Sequence, residues 1–292
     1  MNGPAPAPAG HLVIIGGHED RRHGMEILSR FVELAGGPDA NLVVLTAASE
    51  VADEMWKVYQ RVFGALGVVR CSHLEITSRQ DANSEEFVRQ VNEATGIFMT
   101  GGDQKRLLAL VGGSALDAAM HVALKLRGAT IAGTSAGASA MSGHMLVQGR
   151  AETLPEKGSV SLGAGLGFLH HVVIDQHFSE RQRLSRLLTI VAQNPYLLGI
   201  GIDEDTALVV ALGVGIEVLG QGAVTIVDGR SMITNVADIE DRDIPELIDV
   251  RLHLLPAGSS YQLPNGEQAA AKPLPPPLLD FLEQVTKQNP VS

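Results

Sequence analysis

The chain has 292 residues, 45% of them apolar, and a formal net charge of −11. That apolar fraction is enough for a large core and excludes a largely disordered chain. The acidic balance argues against nucleic acid or an anionic membrane as partner, and no run of about 18 apolar residues offers a membrane span.

Residues 1–10 alternate Pro and Ala, lack the basic start and apolar centre of a secretory signal, and read as a disordered leader. Residues 11–292 read as one domain with a Pro-rich tail. His11-Leu12-Val13-Ile14-Ile15 is an apolar run ended by Gly16-Gly17, as in a buried parallel strand followed by a loop. Neither glycine-rich phosphate-loop spacing follows it. A helix carrying Met25, Ile27, Leu28, Phe31 and Val32 comes next, stopped by Gly36-Gly37-Pro38. A second strand spans 41–46, a helix with the only tryptophan, Trp56, spans 51–66, and a third strand spans 68–76. A helix over 84–94 and a strand over 96–100 lead into Gly101-Gly102-Asp103-Gln104. Helices at 107–110 and 114–126 precede the apolar strand Ala129-Thr130-Ile131-Ala132. Alternation of this kind predicts right-handed crossovers and a mostly parallel, doubly wound sheet flanked by helices. Ligands bind such sheets at the C-terminal strand ends.

That last strand runs into Gly133-Thr134-Ser135-Ala136-Gly137, a Gly-x-Ser-x-Gly turn. Small residues on both sides allow a bend sharp enough to push one serine out of the sheet. A serine hydroxyl needs a base to become a nucleophile, and the helix N-terminus beside it suits a developing oxyanion. The N–H groups of Ala136 and Gly102 are the expected oxyanion donors.

After a polar loop with Glu152, residues 171–175 form a strand ending in Asp175-Gln176-His177-Phe178. Ser179 and Gln182 have the spacing of a capping box for a helix carrying Arg181, Arg183 and Arg186. The strand 197–202 ends in Asp203-Glu204-Asp205, where Asp203 and Asp205 read as solvated ends. His177 is the histidine at a strand end on the Ser135 edge, and so the candidate base. Glu204 is the favoured orienting acid, with Glu152 as the alternative. Beyond 207 the runs shorten and alternate, and Asp228-Gly229 signals a hairpin, so an antiparallel extension is expected. Residues 263–277 are Pro-rich, and a last helix is expected over 278–285. The lone Cys71 excludes an intrachain disulfide and fits a reducing, cytoplasmic setting.

Gly16-Gly17, Gly101-Gly102-Asp103-Gln104, Gly133-Thr134-Ser135-Ala136-Gly137-Ala138, Asp175-Gln176-His177-Phe178 and Gly201-Ile202-Asp203-Glu204 together resemble the cyanophycinases, serine hydrolases of the peptidase E-like family S51. The resemblance spans roughly residues 10–255. It implies an α/β fold like that of class I glutamine amidotransferases, commonly as a homodimer. It implies exo-type cleavage of cyanophycin, a poly-aspartate bearing arginine on its side chains, to β-Asp-Arg dipeptides, without metal or cofactor. Ser135, His177 and Glu204 would be nucleophile, base and acid. Gln104, Asp175, Gln176, Arg181, Arg183 and Arg186 would line the substrate site, acids facing guanidinium and arginines facing carboxylate. Two other readings remain: cleavage of α-Asp-X dipeptides, as in peptidase E, and a binding protein on the same fold without catalysis.

Overall fold

The computed structural model describes residues 10–149, 152–264 and 274–287. The leader, up to residue 9, and residues 265–273 of the Pro-rich stretch lie outside the described residues.

The first half alternates as its sequence pattern demands: β1 (His11–Ile15), α1 (Glu26–Leu34), β2 (Asn41–Leu45), α2 (Ala52–Ala65), β3 (Arg70–Leu74), α3 (Glu85–Glu93), β4 (Gly96–Met99), α4 (Gln104–Val111), α5 (Ala115–Arg127), β5 (Thr130–Thr134) and the four-residue α6 (Ala136–Ser139). The second half is richer in strands. It comprises β6 (His144–Gly149), β7 (Val160–Ala164), β8 (Val172–Gln176), α7 (Leu184–Gln193), β9 (Leu198–Ile202), β10 (Thr206–Ala211), β11 (Gly215–Gly220), β12 (Ala223–Asp228), β13 (Ile233–Thr234), β14 (Leu247–Ile248), β15 (Arg251–Pro256), β16 (Ser260–Gln262) and α8 (Pro276–Thr286).

An eight-stranded sheet runs β16-β11-β10-β1-β5-β4-β2-β3. Its β1, β5, β4, β2 and β3 are parallel, and β10, β11 and β16 extend it antiparallel. Side chains alternate across each strand, so β1 feeds two cores. Val13 and Ile15 pack with Phe31, Phe63 and Phe98 on the α1–α2 side. Leu12 and Ile14 pack with Ile97, Leu124 and Ile131 on the α3–α5 side. The inner strands β1, β2 and β4 therefore carry continuous apolar runs rather than alternating ones, as buried parallel strands do, whereas the edge strand β3 is largely polar.

A second sheet of four strands, β15-β12-β9-β8, carries the remaining strand ends. β8 and β9 are parallel and in register, with Gln176 opposite Ile202. β11 and β12, consecutive in the chain, belong to different sheets, and Asp228-Gly229, expected as a hairpin turn, is not one. β12 instead lies between β9 and β15, and Asp228 accepts from the backbone and guanidinium of Arg230. The sheets meet at the end of β1, where the His177 N–H donates to the Gly16 carbonyl at 2.8 Å. Among the described residues no single helix is long and apolar enough to cross a membrane.

Candidate active site

β5 is buried along its length and delivers Ser135 at its C-terminal end. Ser135 takes φ 52° and ψ −110°, a strained conformation for a residue with a Cβ, and α6 begins immediately after it. The bend leaves no room for a side chain at 137, where a methyl would sit 2.5 Å from the Met99 carbonyl. Strain is retained where the surroundings over-determine it. Here the Ser135 N–H is tied to the Ile15 carbonyl at 3.0 Å, and Thr134 Oγ1 donates to buried Glu19 at 2.6 Å. Tyr59 donates to the other Glu19 oxygen at 2.5 Å.

Ser135 Oγ lies 3.0 Å from His177 Nε2, and His177 Nδ1 lies 2.6 Å from Glu204 Oε1. The path from hydroxyl to carboxylate is thus continuous. His177 and Glu204 follow the ends of neighbouring parallel strands, and that adjacency makes residues 27 apart in sequence meet. An ionised carboxylate only accepts, so Nδ1 carries the proton and Nε2 turns its lone pair to the serine. Burial lowers the His177 pKa, the Glu204 hydrogen bond opposes this, and the net shift is downward. Burial would raise the Glu204 carboxyl, but the hydrogen bonds from His18 and His177 outweigh it and the net shift is downward. Both shifts favour a neutral imidazole facing an ionised acid at neutral pH.

Glu152 is elsewhere: its carbonyl accepts from Ser185 Oγ, and with Arg181 it lines a cleft of about 410 Å³. Glu204, not Glu152, is the carboxylate that reaches His177. Gly101 faces Ser135, since a methyl there would sit 3.4 Å from Ser135 Cβ. Among the described residues no protein acceptor takes the N–H of Ala136 or Gly102, so both remain available as donors.

The expected substrate-lining set divides. Arg181 is exposed, and Gln104 Nε2 donates to the Leu146 carbonyl at 3.1 Å. Asp175, expected to face a substrate guanidinium, instead pairs with this chain's own arginines. It is buried, accepting from Arg186 at 2.8 and 2.5 Å and from Arg183 at 3.2 Å. Arg183 also bonds the Gln176 carbonyl and side-chain amide, and Arg186 the Gly149 carbonyl. Burial lowers the Arg183 pKa to about 10, against the pull of Asp175, which leaves it cationic at neutral pH. The helix expected from Ser179 begins only at Leu184. Ser179 Oγ donates to Asp203 at 2.5 Å instead, and Gln182 takes φ 52°, outside the helical region. Asp203 is buried rather than a solvated end.

Two residues at this rim escape sequence reasoning. His18 Nδ1 lies 2.6 Å from Glu204 Oε2, and Glu19 anchors Thr134 from below. The signal for them is present: a polar run, His18-Glu19-Asp20, at the C-terminal end of a parallel strand.

The profile of peptidase family S51 matches residues 12–216, most of the chain. This chain belongs to peptidase family S51. It is a serine-type peptidase. A cyanophycinase from Geminocystis herdmanii is 39% identical over 251 residues, covering 86% of this chain and 92% of its own. One from Synechococcus elongatus is 38% identical over 270 residues, 92% and 84% of the two chains. Among solved structures, a peptidase from an acI-B1 Actinobacterium superposes with a TM-score of 0.65 at 24% identity, covering 88% of this S51 chain and 98% of its own. At that identity the likeness concerns the fold.

Proposed function

We propose that this protein hydrolyses cyanophycin, releasing β-Asp-Arg dipeptides by exo-type attack on the aspartate backbone. What carries this reading is the Ser135–His177–Glu204 hydrogen-bonded path in a chain 39% identical to a cyanophycinase. In the proposed mechanism Ser135 Oγ attacks the scissile main-chain carbonyl while His177 Nε2 takes its proton. Glu204 holds the ring and stabilises the imidazolium. The N–H groups of Ala136 and Gly102 meet the oxyanion, helped by the strand-to-helix turn. His177 then gives its proton to the leaving amine, and water, activated by the same imidazole, releases the acyl group.

Each repeating unit of the substrate presents one guanidinium and one free carboxylate, both on its arginine. Gln104, Gln176 and the exposed Arg181 form the proposed contact set, arginine being suited to bidentate carboxylate recognition, while Arg183 and Arg186 are engaged with Asp175, Gln176 and Gly149. Asp175 holds Arg183 and Arg186 in place rather than touching substrate. We further propose a cytoplasmic homodimer. The edge strand β15, with Leu252 and Leu254 exposed, supplies an apolar surface suited to a second copy, and the net charge of −11 disfavours nucleic acid.

The test is purified protein on insoluble cyanophycin, with soluble products identified by mass spectrometry, beside the α-linked dipeptide Asp-Leu. The expected result is β-Asp-Arg release and an intact Asp-Leu. Cleavage of Asp-Leu with cyanophycin untouched would instead identify a dipeptidase of the peptidase E type.

A further inference from the structure

The Glu204 carboxylate is shared between two imidazoles. Oε1 takes His177 Nδ1 and Oε2 takes His18 Nδ1, each at 2.6 Å. The two rings stand edge to face, 5.1 Å apart at 76°. Glu204 has a quarter of its side chain exposed, and a carboxylate in that setting with one partner can exchange its second oxygen to water and rotate. We propose that His18 is a positioning residue: by holding Oε2 it fixes the plane of the Glu204 carboxylate and so the direction in which Oε1 meets His177. This inference rests on the roles assigned to Ser135, His177 and Glu204 above.

The backbone is built to present this ring. His18 has φ 51°, a left-handed conformation that costs energy for a side-chain-bearing residue, and follows Gly17 at φ 104°. Gly17 is the residue over which the His177 ring lies, and a methyl there would collide with it. The loop is clamped on both sides. Asp205 N–H donates to the Gly17 carbonyl at 2.8 Å, His177 N–H to the Gly16 carbonyl at 2.8 Å, and Asp20 N–H to Asp205 Oδ1 at 2.8 Å. A histidine with two-thirds of its side chain in solvent would ordinarily be free. This one is held by main-chain bonds against the residues it serves. Since Glu204 accepts only, His18 donates from Nδ1, and its Nε2 is left for solvent.

The experiment compares His18→Gly with His18→Asn. Both residues tolerate positive φ, so neither forces the loop to move. Asparagine retains an N–H donor near the position of Nδ1, whereas glycine does not. Two readouts are used: kcat and KM on cyanophycin, and the rate at which a fluorophosphonate labels Ser135. For His18→Gly, kcat and labelling rate should fall by about tenfold with KM unchanged, the scale typical of partners one step from the reacting groups. His18→Asn should recover both rates to within about twofold if the donor is what matters. Wild-type rates in His18→Gly would overturn the proposal. So would equal impairment of the two variants when their thermal midpoints match wild type. Labelling does not depend on cyanophycin. A protein inert on the polymer but showing this labelling pattern would overturn the substrate assignment and support the role of His18.

Discussion

Replacing Ser135 by alanine should reduce turnover of cyanophycin by about 10⁴- to 10⁶-fold, the range seen when a serine nucleophile is removed from such a constellation. The substitution deletes the atom 3.0 Å from His177 Nε2 and little else. The main-chain bond from residue 135 to the Ile15 carbonyl is untouched, as is the Thr134–Glu19 contact beneath the turn. Alanine suffers the same positive φ as serine, so no new strain arises. The thermal midpoint should therefore stay within about 2 °C of wild type, as for substitutions that open no core cavity. A mutant retaining even a hundredth of wild-type turnover would mean that another group attacks.

Asp175→Ala should act in the opposite way, on the fold first. Asp175 has 1% of its side chain exposed and both oxygens occupied by Arg183 and Arg186, themselves nearly buried. Removing it strands two guanidinium charges in the interior. Breaking a buried ion pair from one side costs about 3–5 kcal/mol, because the remaining charge has lost its compensation. That is a large part of the roughly 5–15 kcal/mol that holds a domain folded. Urea denaturation monitored by far-UV circular dichroism should register it as a lower midpoint. Asp175→Asn, which keeps shape and two acceptor lone pairs, should lose less. A loss under about 1 kcal/mol for the alanine variant would show that the arginines find other partners, contrary to this account. Asp175 lies on β8, two residues before His177, which follows the end of that strand.

The parts of the site made by local sequence are legible in the sequence itself. A strand, three small residues and a serine can bend in few ways, and the Ser135 turn follows from them. His177 was reachable because it ends a strand on the correct edge. Glu204 and Glu152 could not be separated locally. Only the pairing of β8 with β9 in parallel register brings residue 204 to residue 177. The polar run at the end of β1 places His18 on this edge, but its contact with Glu204 depends on the meeting of two sheets there, which no local spacing encodes. The misplaced helix start at Ser179 has a similar cause: Asp203, far along the chain, competes for the hydroxyl that would have capped it. The sequence places Arg181, Arg183 and Arg186 together and Asp175 on a substrate guanidinium, but in the fold Arg181 is exposed while Arg183 and Arg186 close on Asp175. Periodicity tells which strand a residue ends, not which charges its burial leaves it beside.

The claim on which everything here depends is that the imidazole of His177 activates the hydroxyl of Ser135. It is tested most directly by the rate of covalent labelling at Ser135 with a fluorophosphonate, followed as a function of pH and located by mass spectrometry. Because burial outweighs the Glu204 hydrogen bond and lowers the His177 pKa, the imidazole loses its proton below the ordinary histidine value of 6.5. One adduct is expected, on Ser135, whose formation rises with pH through a midpoint below 6.5 and is abolished in His177→Ala. An adduct on another residue, or labelling of Ser135 that proceeds equally fast without His177, would contradict it.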